Sequence, residues 1–373
     1  MNAHELATCL DPTQIIESLN DGLYAVDRDR QIVYWSPAAE EITGWSSADV
    51  VGRHCRDEIL CHVDKDGHQL CGEEHCPLHR AMVTDQGSTT PIIVFAQSKT
   101  GERVPMKVSV APVRNDEGEV IGGVETFRDL SDEITNIQRA ETIQALTLDN
   151  ELPEDDRISF ASYYVPCDVI GGDYYAVTQL SPDVYGFMLA DIVGHGVSAA
   201  LYTMYLSSLW EAHQHLLAEP TAFCEALNEN LCRLFKDSGP FAAAICGSID
   251  LNTNVLRLIG GGNPSPLLIS PSGEYRHIDC FGVPLGCMPG MPHDEQVTEM
   301  HPGESLLMFT DGAIEVSIGD RDYLGSDGLV KVLTELGYPS PDVSFTDIEE
   351  QLLKVSDRIR FDDDLTFFEI RIK

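Results

Sequence analysis

Two kinds of hydrophobic patterning divide the chain. From residue 12 to about 130, short β-rich runs alternate with charged turns. Gly22-Leu23-Tyr24-Ala25-Val26-Asp27 and Gln31-Ile32-Val33-Tyr34-Trp35 flank the turn at 27–30. Ser36-Pro37-Ala38-Ala39-Glu40-Glu41-Ile42 then opens a short helix, with a serine cap and a proline in its first turn, and Gly44 ends it. Three further strands are predicted at 92–97, 104–113 and 120–129, parted by Lys99-Thr100-Gly101 and Asn115-Asp116-Glu117-Gly118 as in an antiparallel meander. Residues 132–152 lack Gly and Pro and predict a helix. Leu130, Ile134, Ile137, Leu148 and Leu152 fall near heptad seam positions, which Glu141 and Gln144 interrupt. Such a broken seam fits a weak, adjustable dimer contact, and it fits equally an amphipathic helix packed on its own chain. Glu151-Leu152-Pro153-Glu154-Asp155-Asp156-Arg157 breaks the helix. Beyond it, strands at 159–165, 174–179, 184–190, 241–249, 254–259, 266–269, 304–309 and 365–372 are interleaved with helices near 196–218, 221–235, 326–336 and 344–359. The pattern predicts an α+β protein of two domains, 12–131 and 157–373, joined by a helical linker at 132–156.

Composition narrows the partners. The 373 residues carry 24 Lys plus Arg against 61 Asp plus Glu, a formal charge of −37. Such a surface repels phosphate backbones and anionic lipid, so neither nucleic acid nor membrane is an expected partner. The stretch 192–210 has no Asp, Glu, Lys or Arg, but it contains Gly194, His195, Gly196, Ser198, Ser207 and Ser208 and predicts a buried helix. Residues 1–14 carry Glu5 and Asp11 and show no basic region followed by an apolar run. Together with an odd count of 11 cysteines, this predicts reduced thiols and a cytoplasmic protein.

The order of elements in the first domain resembles a PAS sensor domain. The residues that carry the likeness are Asp21-Gly22-Leu23, Val26-Asp27, the run 32–44, Val51-Gly52 and Phe127-Arg128-Asp129-Leu130-Ser131, with Ser36 where an Asn is usual. The resemblance implies a five-stranded antiparallel sheet flanked by helices.

In the second domain, four aspartates share one style, an Asp at a strand end beside glycine or another Asp. They are Asp173 in Gly171-Gly172-Asp173, Asp191 in Asp191-Ile192-Val193-Gly194-His195-Gly196, Asp311 in Thr310-Asp311-Gly312, and Asp363 in Asp362-Asp363-Asp364-Leu365-Thr366. Singly, each is ordinary turn chemistry. Carboxylates drawn together from distant strands repel one another, and hard divalent cations with oxygen ligands, Mg2+ or Mn2+, relieve that repulsion. Two such ions on the order of 4 Å apart support in-line attack on a phosphoryl group.

These motifs, with Val169-Ile170-Gly171-Gly172-Asp173-Tyr174-Tyr175, Pro284-Leu285-Gly286, Pro302-Gly303-Glu304 and Tyr323-Leu324-Gly325, resemble the PPM (protein phosphatase 2C) superfamily in its SpoIIE-like bacterial branch. The resemblance spans residues 157–373. It implies a central β-sandwich flanked by helices and a protein serine/threonine phosphatase whose substrate is a phosphorylated STAS-type anti-sigma-factor antagonist. It also implies that Asp191 bridges two Mn2+ or Mg2+ ions, the carbonyl of Ile192 binds one, and Asp311 and Asp363 bind the other. Asp173 would hold waters or act as a ligand. The chain departs from the family at Gly260-Gly261-Gly262-Asn263-Pro264, where no histidine precedes the proline. His195 stands four residues after Asp191, and no arginine lies near Asp173 in the sequence to clamp phosphate. General acid and phosphate clamp both stay open.

A second cluster lies in the insertion at 55–79, where Cys55, Cys61, His62, His68, Cys71, His75, Cys76 and His79 crowd together. Cys55, His62, Cys71 and Cys76 would serve as four ligands for Zn or Fe. A thiol redox switch and inert packed cysteines are the rival readings, with haem at Cys76-Pro77 a lesser one. The sequence therefore predicts a sensor domain, a linker helix supporting a homodimer, and a phosphatase output. The alternative is a non-catalytic phosphoprotein-binding scaffold. A nucleotide cyclase, suggested by Gly171-Gly172-Asp173, fails because Tyr174-Tyr175 follow and the other aspartates would be unexplained.

Overall fold

The computed structural model describes residues 11–373 apart from 66, 73–74, 89, 149–150, 195, 236–238, 320–321, 357 and 359. The chain divides into two compact units, Met1–Asn136 and Ile137–Lys373.

In the first unit, α1 (Pro12–Glu17), β1 (Gly22–Asp27) and β2 (Ile32–Trp35) precede α2 (Pro37–Thr43), α3 (Ser47–Val50) and α4 (Pro77–Thr84). Then come β3 (Ile92–Gln97), β4 (Arg103–Arg114) and β5 (Val120–Asp129). The antiparallel sheet has the order β2-β1-β5-β4-β3. Burial alternates along β1, and Tyr24 and Val26 point into the core. Ser36 caps α2 by accepting from the Ala39 N–H (3.2 Å) and ties it to β1 by accepting from the Leu23 N–H (2.9 Å). Gly44 closes the helix in the left-handed region, as the sequence predicts.

The core of this unit is partly polar. His62 Nε2 lies 3.6 Å from Glu125 Oε1, and both side chains are buried. Burial pushes Glu125 up to about 8 and His62 down to about 4, so the pair is uncharged near neutrality. Burial likewise pushes the thiols of Cys55 and Cys71 up to about 12, which keeps them protonated and unreactive. Among the described residues, Cys55, His62, Cys71 and Cys76 do not bring three ligand atoms within 4.8 Å of one another.

A pH dependence follows. Glu125, raised from an ordinary 4.5 to about 8, contributes stability below pH 4.5 that is lost as pH rises through 8. His62, lowered from 6.5 to about 4, contributes stability above pH 6.5 that is lost as pH falls through 4. Glu125→Gln is expected to flatten the alkaline loss while leaving the acid loss in place. Denaturant midpoints followed by the fluorescence of Trp35 and Trp45 between pH 5 and 8.5 test this; curves parallel to wild type would refute it.

The helix α5 (Ser131–Leu148) begins in the first unit and ends in the second. There follow β6 (Ile158–Val165), β7 (Asp173–Ser181), β8 (Val184–Ile192), α6 (Val197–His213), α7 (Pro220–Phe235), β9 (Ala242–Asp250) and β10 (Val255–Gly261). After β11 (Leu267–Ile269), β12 (Tyr275–His277), β13 (Gln296–Glu299) and β14 (Ser305–Phe309) come α8 (Gly325–Leu336), α9 (Phe345–Ser356) and β15 (Leu365–Ile372). They form two antiparallel sheets, β13-β10-β9-β8-β7 and β12-β11-β14-β15-β6.

Leu189, Ile245 and Leu258 of the first sheet meet Leu306, Met308 and Phe368 of the second. The opposite face of the first sheet, with Met188 and Ala190, is covered by Leu206 and Trp210 of α6 and Leu227 of α7. The opposite face of the second, with Leu307 and Phe367, is covered by Leu329 and Leu333 of α8 and Ile348 and Leu352 of α9. Neighbours such as Phe367 and Phe368 therefore face opposite ways and are both buried, worth about 3 kcal/mol each. Strands covered on both faces carry consecutive apolar residues, as Phe187-Met188-Leu189-Ala190 of β8 and Phe367-Phe368 of β15 do. No described helix is long and apolar enough to cross a membrane, and the apolar stretch near 192–210 becomes the end of β8 and, from Val197, most of α6, which buries Ala199, Leu206 and Trp210 and exposes Val197 and Leu201.

Candidate active site

The carboxylates gather because both sheets release them at strand ends. In the β7–β8 pair, Asp173 is in register with Asp191. In the second sheet Phe309 pairs with Phe367, so the 3-10 turn Asp311–Ala313 after β14 meets residues 363–364 just before β15. Gly312 permits that approach, since a Cβ there would lie 2.0 Å from the Asp364 carbonyl oxygen. Gly172 serves the other side: its Cβ would lie 2.7 Å from the Ile192 carbonyl oxygen.

Asp173 is buried, and its Oδ2 accepts from the hydroxyls of Thr310 (2.9 Å) and Thr366 (2.5 Å). Its Oδ1 has no hydrogen-bond partner, and neither has Oδ1 of Asp311. Burial raises Asp191 to about 8, helped by the charges of Asp311, Asp363 and Asp364. Burial and then Asp363 raise Asp311 to about 6, and burial and then Asp191 raise Asp173 well above the carboxylate range. A mutually repelling group of carboxylates with unbonded buried oxygens is the donor set that hard divalent cations fit. The carboxylates of Asp191, Asp311, Asp363 and Asp173 and the Ile192 carbonyl are the groups that would hold them.

The three consecutive aspartates have separate duties. Asp362 pairs with Arg358 (2.6 and 2.7 Å) and accepts from Ser317 (3.3 Å). Asp364 is buried and accepts from the Cys167 N–H (2.8 Å) and the Gly172 N–H (2.5 Å). Asp363 is the member whose charge bears on both Asp191 and Asp311. His195 lies outside the described residues. Two arginines that the sequence reading passed over, Arg358 and Arg360, line a cleft of about 150 Å³ together with Asp363, Gly312 and Tyr323. Their signal was the Arg358-Ile359-Arg360 run just ahead of the aspartates. Cys167 was also missed: its ligand atom and those of Asp363 and Asp364 lie within 4.8 Å of one another, and burial pushes its thiol up to about 12.

A family model described as Stage II sporulation protein E (SpoIIE) matches residues 181–373. The chain belongs to the SpoIIE family. A PAS fold model matches residues 16–135. The phosphoserine phosphatase RsbP of Bacillus subtilis (strain 168) is 25% identical over 202 residues, 53% of this chain and 47% of that protein. The phosphoserine phosphatase RsbU of the same organism is 20% identical over 308 residues, 82% of this chain and 88% of its own. The chain thus spans about half the length of the first relative and most of the second. Among solved structures, the SiaA-PP2C domain of Pseudomonas aeruginosa superposes with a TM-score of 0.54 at 18% identity, covering 65% of this chain and all of that one. This SpoIIE-family member therefore pairs a PAS fold with a PP2C-like α/β sandwich, and its four aspartates lie at one end of that sandwich.

Proposed function

We propose that residues 157–373 hydrolyse phosphoserine or phosphothreonine on a protein, using two Mn2+ or Mg2+ ions held by Asp191, Asp311, Asp363 and the Ile192 carbonyl. The observation that carries this reading is the convergence of Asp173, Asp191 and Asp311, whose carboxyls burial and neighbouring carboxylate charge hold above the ordinary range, beside Asp363. Bound there, the ions supply the Lewis acidity for in-line attack of water on phosphorus. The two threonine hydroxyls orient Asp173, and the Asp364 carboxylate fixes the glycine loop that carries it. Arg360 has no ion-pair partner among the described residues and borders the cleft beside Asp363, a suitable place to meet a substrate phosphate.

Two curated relatives are named phosphoserine phosphatases, which supports the substrate class. The resemblance to the SpoIIE-like branch points to a phosphorylated STAS-type anti-sigma-factor antagonist as the substrate, with the PAS domain as regulator. Ile143 and Leu146 expose apolar side chains on α5, in keeping with a homodimer through that helix.

The test is phosphate release by the full chain from a phosphoseryl STAS protein and from a phosphotyrosyl peptide, with Mn2+ and with chelator. Release from the phosphoseryl protein alone, abolished by the chelator and by Asp311→Ala, is expected. Release indifferent to cation would overturn the reading, and tight binding of the phosphoprotein without turnover would favour the scaffold.

A further inference from the structure

The linker helix is polar or exposed along nearly its whole length. Within α5 only Gln144 and Leu148 are buried. Gln144 is one of the two residues that spoil the heptad seam, and a buried polar side chain at a seam position calls for a partner. Its partner is the metal-site loop. The Gln144 Nε2 donates to the Gly171 carbonyl at 2.6 Å, and its Oε1 accepts from the Gly171 N–H at 3.4 Å. Both bonds are buried, and both involve the peptide groups that lead into Gly172 and Asp173.

Opposite the helix, the loop is gripped by Asp364. A Cβ on Gly171 would lie 2.1 Å from Asp364 Oδ2 and 2.2 Å from the Tyr164 hydroxyl, and Gly172 N–H donates to that same carboxylate. The next peptides along meet the site itself. Gly172 rests against the Ile192 carbonyl, and Thr203 Oγ1 on α6 donates to the Gly172 carbonyl at 3.2 Å. The loop is thus a thin layer with the linker helix on one side and the aspartate cluster on the other. Gly171 has no side chain, so the loop's position is set by these backbone bonds.

We propose that Gln144 is a positioning residue for the metal site: its amide holds the Gly171-Gly172-Asp173 loop in register with Ile192 and Asp191. This rests on the phosphatase reading above. Without the amide, the buried Gly171 carbonyl loses its donor and Asp173 is no longer fixed against Asp191. Outer partners of metal ligands typically matter by about ten- to a hundredfold in metal affinity.

Gln144→Met keeps the side-chain length and helix propensity and removes both hydrogen bonds. Leu148→Ala, one turn on, removes an apolar contact of the same helix and leaves both Gln144 amide bonds in place. Mn2+ affinity would be measured by titration of the free-ion electron paramagnetic resonance signal in the full chain, beside the Mn2+ dependence of phosphate release and the KM for a small aryl phosphate at saturating Mn2+. Gln144→Met should weaken Mn2+ binding about tenfold, with KM unchanged, while Leu148→Ala lowers Tm and leaves Mn2+ binding at the wild-type value. Wild-type affinity in Gln144→Met, or equal weakening in both variants, would overturn the proposal. Loss of Mn2+ response in the wild type would instead overturn the phosphatase reading, so the two failures are distinct.

Discussion

Asp191→Asn is expected to cut Mn2+-dependent phosphate release by about a thousandfold or more, since several kcal/mol of charge stabilisation would go with the Asp191 carboxylate. The same substitution should stabilise the metal-free protein. The Asp191 carboxyl is raised from an ordinary 3.8 to about 8, so the folded state favours its protonated form. Its contribution is full below pH 3.8 and is lost as pH rises through 8. Metal-free wild type should therefore lose Tm between pH 4 and 8 more steeply than Asp191→Asn does. Added Mn2+ should restore the wild type and leave the variant unmoved. Activity assays and thermal melts with and without chelator check both halves. A variant that keeps a tenth of wild-type turnover, or that melts with the wild-type pH slope, would show that Asp191 does not sit at the centre of the cluster.

Gly312→Ala carries the second large effect. The added Cβ would meet the carbonyl oxygen of Asp364 at 2.0 Å and its carbon at 2.8 Å, both backbone atoms. That backbone has little freedom, because Thr366 N–H donates to Thr310 Oγ1 at 3.0 Å and β15 is paired on both edges. The turn at 311–313 would have to move away from residues 363–364, which parts Asp311 from Asp363. Overpacking of this kind costs about 3 kcal/mol, and a displaced ligand pair should weaken Mn2+ binding about ten- to a hundredfold. A lower Tm together with a higher Mn2+ requirement is the expected result. Wild-type Mn2+ dependence at a lowered Tm would mean that the glycine serves packing alone.

The sequence made much of the architecture legible, and particular residues show why. Ser36, Pro37 and Gly44 bound a helix through local chemistry, and the structure places Pro37–Thr43 between them. Phe187-Met188-Leu189-Ala190 in β8 and Phe367-Phe368 in β15 are consecutive apolar residues because both faces are covered, and they stand out even without periodicity. By contrast β12 and β13 were not foreseen. Tyr275-Arg276-His277 and Gln296-Val297-Thr298-Glu299 are short, largely exposed edge strands, and pairing with β11 and β10 makes them strands where local propensity does not. The interrupted seam of the linker was visible, but its cause was not. Gln144 is polar because of Gly171, 27 residues away.

Chain order and residue type by themselves determined the two-part organisation, the alternation of strands and helices, and the presence of an Asp at each of four strand ends. Those features depend on neighbours a few positions apart, where turn, cap and burial preferences act. Tertiary structure alone decided the surroundings of 362–364: Arg358 and Ser317 engage Asp362, the Cys167 and Gly172 N–H groups engage Asp364, and the charges of Asp363 and Asp364 both bear on Asp191. It alone decided that Arg358 and Arg360 border the cleft and that Gln144 of the linker helix bonds to the Gly171 peptide. The physical reason is common to all three. Each outcome is set by contacts between segments brought together by sheet pairing and helix packing, and the energy of such contacts leaves no mark on local sequence pattern.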